Sequence, residues 1–167
     1  MTDPVVLIVM GSDSDVPTME ETAKVLTEFG VPFEMRISSA HRSPARTAKL
    51  AHDAADRGIQ LIIAAAGMAA HLAGVIAAET TLPVVGVPMG GGALSGLDAL
   101  YATVQMPGGI PVATMAVGRA GAKNAGIFAV QILALRDPAL TDKLVDYRQK
   151  MAAEVERKDN ELQKNRG

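Results

Sequence analysis

Cysteine and tryptophan are absent from the 167 residues of this chain. Without cysteine there is no disulfide, no thiolate nucleophile and no cysteine-ligated metal. Aromatic residues amount to 3%, which leaves no platform for stacking the bases of a single strand. Neither sign of charge predominates: 16 Lys and Arg stand against 18 Asp and Glu, a formal net charge of −2. A nucleic acid or an anionic membrane is therefore not expected as a partner. Every apolar stretch is broken by Gly, Pro or a polar residue well short of the roughly 18 residues a span requires, so no membrane segment is expected. The start, Met1-Thr2-Asp3-Pro4, lacks the basic region of a signal peptide. A cytoplasmic protein is the expectation.

What remains is apolar and regularly punctuated, with 49% hydrophobic and 20% charged residues. The length suits a single catalytic domain over 1–167, with a core at about 4–137 and a helical tail at about 138–165. A chain of this size buries roughly 70% of the surface its unfolded form exposes.

Five short apolar runs predict strands: Val5 to Met10, Phe33 to Ile37, Ile59 to Ala65, Pro83 to Val87 and Val112 to Val117. Several are near-continuous Val, Ile and Leu, the pattern of strands buried on both faces of a parallel sheet. Segments of helical period lie between and after them. These are Thr18 to Phe29, Pro44 to Arg57, Leu72 to Glu79, Leu94 to Gln105 and Ala122 to Leu135. The alternation predicts βαβ units with right-handed crossovers, an α/β fold. From Pro138 to Asn165 the pattern changes. Leu140, Leu144, Tyr147, Met151 and Val155 recur at spacings of three and four among many charges, a long amphipathic helix whose stripe needs a partner such as a neighbouring subunit.

In open α/β sheets, ligands bind beyond the carboxyl ends of the strands, so the loops there are where chemistry belongs. The first such loop is Met10-Gly11-Ser12-Asp13-Ser14-Asp15. Gly11 permits a tight turn, Ser12, Ser14 and Asp15 are N-cap types, and amides at a helix start favour an anion such as phosphate. It is neither a Walker A loop nor a GxGxxG fingerprint, and an ordinary capped turn is the plainer reading. The second loop, Ser38 to Pro44, places His41 and Arg42 just before a helix opened by Ser43 and Pro44. His41 is the best acid-base candidate, since imidazole exchanges a proton near neutral pH, and Arg42 can fork onto phosphate or carboxylate. The plainer alternative is a surface histidine beside a solvated arginine.

The third loop, Ala66 to Gly74, is built of small residues around His71; the plainer reading is a packing joint with an incidental histidine. The fourth carries Gly90, Gly91 and Gly92 and suits closure over a ligand, or is simply slack. His52, read as mid-helix beside Asp53 and Asp56, is a surface residue with no role. No two histidines share a helix face at ligand spacing and no carboxylate loop has calcium or magnesium spacing, so no metal is expected.

Four motifs then occur in order: Gly-Ser-x-Ser-Asp at 11–15, Ser-Ala-His-Arg at 39–42, Ala-Ala-His-Leu at 69–72 and Gln-Met-Pro-x-Gly-x-Pro-Val at 105–112. With Lys123-Asn124-Ala125 they resemble the class I N5-carboxyaminoimidazole ribonucleotide mutases, the PurE family, over about residues 5–137. The resemblance implies a three-layer α/β/α flavodoxin-like fold, a homo-octamer, and migration of a carboxyl group from N5 to C4 of the imidazole of a nucleotide. It implies no ATP, metal or organic cofactor. It assigns His41 as general acid-base and Ser12, Asp15 and Arg42 as holding the nucleotide. Ser39, Gly67, Ala70, His71 and Leu72 complete the substrate-binding set. Two places depart from the family pattern: Ala73 stands where Pro is usual, and Gly90 to Gly92 replace a segment that usually carries a polar or basic residue. Class II relatives, which carboxylate aminoimidazole ribonucleotide with CO2, tend to have Lys after the second-loop histidine and lack Ala-Ala-His-Leu. Arg42 and His71 favour class I. A non-catalytic nucleotide- or flavin-binding module on the same fold is the rival reading.

Overall fold

The computed structural model describes residues 3–166. Five strands form one sheet: β1 (Val6–Met10), β2 (Phe33–Ile37), β3 (Leu61–Ala66), β4 (Val84–Pro88) and β5 (Ala113–Thr114). Six α-helices accompany them: α1 (Val16–Phe29), α2 (Pro44–His52), α3 (Leu72–Glu79), α4 (Leu97–Val104), α5 (Arg119–Ala134) and α6 (Pro138–Lys164). All strand pairs are parallel, in the order β2-β1-β3-β4-β5. That is the flavodoxin-like doubly wound order, in which the chain reverses direction across the sheet after β2.

The near-continuous apolar runs have the expected consequence. All of β1 and Leu61 to Ala65 of β3 are at most 1% exposed, covered on both faces. Each Val, Leu, Ile or Met side chain among them contributes about 1.5–3 kcal/mol relative to solvent exposure. On one face, Leu7, Val9, Ile62 and Ala64 pack with Ala51 of α2 and Leu72, Ala73 and Ile76 of α3. By strand alternation, Ile8, Ile63 and Ala65 turn to the other face and are equally buried. Helices α1 and α5 are locked together, with Thr22 donating to the Ala122 carbonyl at 2.6 Å and Val25 beside Gly126.

Several boundaries differ from the sequence expectation. Helix α2 stops at His52 rather than Arg57, and Ala55–Arg57 tighten into a 3-10 turn closed by Gly58 at φ +85°. Ala54 between them is fully buried, so the chain bends inward instead of continuing the helix. His52 is thus exposed at the end of α2, not in mid-helix. Helix α4 begins at Leu97 rather than Leu94, because Ser95 and Gly96 have φ of +52° and +89°, outside the helical region. Strand β5 shrinks to two residues. It is an edge strand that pairs only at Val85–Ala113 and Gly86–Thr114, with Pro111 just before it unable to donate a ladder bond.

The chain divides into two compact units, one ending at Ala129 and the other beginning at Val130. The second contains α6, whose start is capped by Asp137 accepting from the Ala139 amide at 3.0 Å. Leu140 is buried, while Met151, Val155 and Leu162 are 54%, 67% and 48% exposed. Among the described residues no helix is long and apolar enough to cross a membrane.

Candidate active site

The carboxyl ends of β1, β2, β3 and β4 open onto one cavity of about 550 Å³. Four loops wall it, and each strand end delivers its loop to the same rim, as the topology requires.

The β1–α1 loop is held by its own side chains. Ser12 accepts from the Ser14 amide at 3.3 Å and donates to Asp13 at 3.0 Å, while Ser14 Oγ donates to Ser12 at 2.9 Å. Ser12 therefore caps a short 3-10 turn, Asp13–Asp15, that leads into α1. Asp15 carries no cap bond of its own. Burial raises its carboxyl above the ordinary 3.8; the Ser12 amide and the Ser14 hydroxyl oppose the rise, and the charge of Asp13 adds to it. The turn expected at Gly11 does not require glycine. Its φ is not in the left-handed region, and an added Cβ would meet Ala65 O and Ala66 Cβ at an ordinary 3.7 Å.

The β2–α2 loop is clamped from beneath. Ser43 Oγ donates to the Ser39 carbonyl at 3.0 Å and accepts the Ser39 amide at 3.1 Å, closing the loop that carries His41 and Arg42. Ser43 sits at the N-cap with Pro44 at the first helical position, but its hydroxyl serves the loop rather than the helix. Below it, buried Thr47 Oγ1 donates to the Ser43 carbonyl at 3.2 Å and lies 2.8 Å from buried Ser38 Oγ. Thr47 has spent its only proton, so Ser38 is the donor of that contact. Arg42 reaches back to the first loop, its Nη2 donating to the Gly11 carbonyl at 3.1 Å. Among the described residues no carboxylate forms a salt bridge with it. Its charge therefore remains available to an anion entering the cavity.

The β3–α3 loop curls tightly, with the Ala70 amide donating to the Met68 carbonyl at 2.8 Å and the His71 amide to Ala69 at 2.9 Å. His71 becomes the N-cap of α3, and its ring comes to 4.2 Å from that of His41. Gly67 and Leu72 line the cavity beside it. Ala70 does not: it is 2% exposed, and its carbonyl accepts from Thr103 of α4 at 3.4 Å. Its place is under the loop rather than in the cavity wall.

The structure thus gathers Ser12, Asp15, Ser39, His41, Arg42, Gly67, His71 and Leu72 around one cavity. Gly90, Gly91 and Gly92 line it as well. Two lining methionines, Met68 and Met89, had no sequence signal beyond their neighbourhood. Among the described residues no cluster of three His, Cys, Asp or Glu side chains could hold a metal ion.

The chain is similar to known proteins over most of its length. The family model described as AIR carboxylase matches residues 5–154. The N5-carboxyaminoimidazole ribonucleotide mutase of Synechocystis is 54% identical, over 96% of this chain and 90% of its own length. The mutase of Pyrococcus horikoshii is 52% identical, over 96% and 89%. The crystal structure of Treponema denticola PurE superposes with a TM-score of 0.84 at 30% identity, covering 95% of this chain and 98% of that one. With most of its length matched, cavity loops included, the chain belongs to the AIR carboxylase family.

Proposed function

We propose that the protein is an N5-carboxyaminoimidazole ribonucleotide mutase of purine biosynthesis, an isomerase that moves the carboxyl group from N5 to C4 of its nucleotide substrate. The observation that carries this reading is the convergence of His41, His71, Arg42, Asp15 and Ser12 on one cavity at the carboxyl end of the sheet. Identity of about half with proteins that bear the mutase name supports it. Arg42 beside His41, and the retained Ala-Ala-His-Leu at 69–72, favour the mutase over direct carboxylation of aminoimidazole ribonucleotide.

In this reading Arg42, Ser12 and Asp15 hold the ribose phosphate end, with Ser39 supporting Arg42. Its Oγ accepts the Arg42 amide at 3.2 Å. His41 donates a proton to N5 as the N–CO2 bond breaks and its electron pair stays on nitrogen. CO2 and aminoimidazole ribonucleotide are left together in the cavity. C4 then attacks CO2 to form the new C–C bond, and His41, now neutral, removes the C4 proton. One imidazole returns to its starting state in each turnover. Confinement keeps CO2 at high effective concentration against C4. Gly67, His71 and Leu72 surround the imidazole and the migrating carboxyl group. No ATP, metal or organic cofactor enters these steps.

The reading extends to a cytoplasmic homo-octamer. Support for self-association is apolar surface that one chain leaves uncovered. Leu94, Leu97, Tyr101 and Val104 on and before α4 are 60%, 48%, 57% and 48% exposed, and α6 adds its own stripe.

The test is turnover of freshly prepared N5-carboxyaminoimidazole ribonucleotide, with chelator and without ATP, beside a reaction of aminoimidazole ribonucleotide and bicarbonate. Rapid C4-carboxylated product from the first substrate alone is expected. Turnover of the second alone would make the protein a carboxylase. Silence in both would leave a binding module.

A further inference from the structure

Met68 is one of two non-glycine residues with positive φ among the described residues, at +56°. An L side chain in that region crowds its own backbone, and the conformation persists only where something else requires it. Packing within the chain does not: Met68 is 66% exposed, the highest value of any large apolar residue on the cavity rim. The conformation does set a direction. Met68 stands three residues before His71, and its Cγ lies 3.6 Å from where a Cβ at Gly92 would sit. Gly92 belongs to the β4–α4 loop, which also lines the cavity, and has φ +66°. The two loops thus meet at the cavity, one supplying a long flexible thioether and the other a bare backbone that leaves room for it. Beneath them Met89, 5% exposed, has its Cβ 3.4 Å from the Cβ position of Gly67. Met68, Met89, His41 and His71 thus line the same cavity.

We infer that Met68 is the covering residue of the carboxyl-migration compartment: its side chain lies over the gap to Gly92 and keeps the CO2 intermediate from escaping before C4 captures it. The inference rests on the mutase reading. A neutral, weakly polar molecule is retained by shape and apolar contact, not by charge, and the thioether supplies both. The strained φ is the cost of aiming it there. Loss of the cover leaves bond cleavage intact. The N–CO2 bond still breaks, N5 still receives its proton, and CO2 departs to solvent while aminoimidazole ribonucleotide remains uncarboxylated.

The experiment compares wild-type protein with Met68→Gly and Met68→Leu in the turnover assay, scoring C4-carboxylated product and aminoimidazole ribonucleotide above the enzyme-free rate. A second measurement follows 13C from added bicarbonate into the C4 carboxyl. Glycine relieves the positive φ, so Met68→Gly stays folded and its melting temperature rises. Its yield of aminoimidazole ribonucleotide and its 13C incorporation both rise several-fold, and Met68→Leu moves both back toward wild type. Wild-type partition in Met68→Gly would overturn the inference while leaving the mutase reading intact. A change in its oligomeric mass by light scattering would also overturn it, placing Met68 in a subunit contact. Absence of turnover in the wild type would instead remove the mutase reading on which it rests.

Discussion

The imidazole rings of His41 and His71 stand 4.2 Å apart, tilted by 52°, although thirty positions separate them in the chain. One comes from the loop after β2 and the other from the N-cap of α3, and both are exposed to the cavity. Neither ring supports the core, so replacing His41 changes chemistry rather than folding. His41→Asn is expected to bind nucleotide by calorimetry with little change in affinity. Its turnover falls by about 10²–10⁴, the usual worth of a placed acid-base group. Near-normal turnover would remove His41 from its assigned role.

Among the described residues Arg42 has only neutral partners, the Gly11 carbonyl and Ser39 Oγ, so its charge has the most to gain from an anionic ligand. Arg42→Ala is expected to weaken nucleotide binding roughly 10- to 100-fold, the worth of a charge-assisted hydrogen bond. Its effect on the rate at saturation is smaller. An unchanged dissociation constant would show that the phosphate lies elsewhere.

Asp15 illustrates a residue set against stability by its surroundings. Burial raises its folded carboxyl above the 3.8 of the free group, so the neutral form is favoured in the folded chain. The associated stability is present in full below the unfolded value and is lost as pH rises through the raised folded value. Asp15→Asn, which stays neutral, is expected to melt higher than wild type at pH 7. The difference vanishes as pH falls below the unfolded 3.8. The same substitution weakens nucleotide binding. Thermal melts across pH check the first effect and calorimetry the second; a melting difference independent of pH would refute the linkage.

Much of this was legible beforehand because buried parallel strands and capped loops leave strong marks. The runs ending at Met10 and Ile37 matched the end of β1 and the whole of β2, and Ser43-Pro44 marked the start of α2. Most of the residues that line the cavity were legible from the loop motifs, since short strands bring their following loops to one rim. What stayed hidden depended on tertiary demands. Nothing local announces that Met68 takes a positive φ, or that Ala70 turns inward to meet Thr103. The length of α2 was misjudged because Ala48, Ala51 and Ala55 keep helical period, while the burial of Ala54 bends the chain.

The buried pair Ser38 and Thr47 lies under the loop that carries His41, at 2% and 0% exposure. Thr47→Val would leave Ser38 with a buried, unpartnered hydroxyl and cost about 1–3 kcal/mol. Removing both hydroxyls, in Ser38→Ala with Thr47→Val, is expected to cost less than Thr47→Val alone, since no buried donor is then stranded. Urea unfolding of the single and double variants measures this. Equal or greater loss in the double variant would show that the pair is not an isolated unit.

The tail makes the last claim on assembly. Helix α6 runs for 27 residues with Met151, Val155 and Leu162 about half exposed or more, among ion pairs such as Lys158–Glu154 at 3.3 Å. Those pairs lie in solvent and hold the helix only weakly. A long helix needs tertiary packing of its apolar face to be stable, because propensity alone is marginal in water. If the proposed octamer supplies that packing, a chain ending before Pro138 retains its sheet and its cavity but loses mass in light scattering. Helical content then falls by little more than the deleted segment. Full-length mass in the truncated protein would show that the exposed face of α4, with Leu97, Tyr101 and Val104, suffices to hold the subunits together.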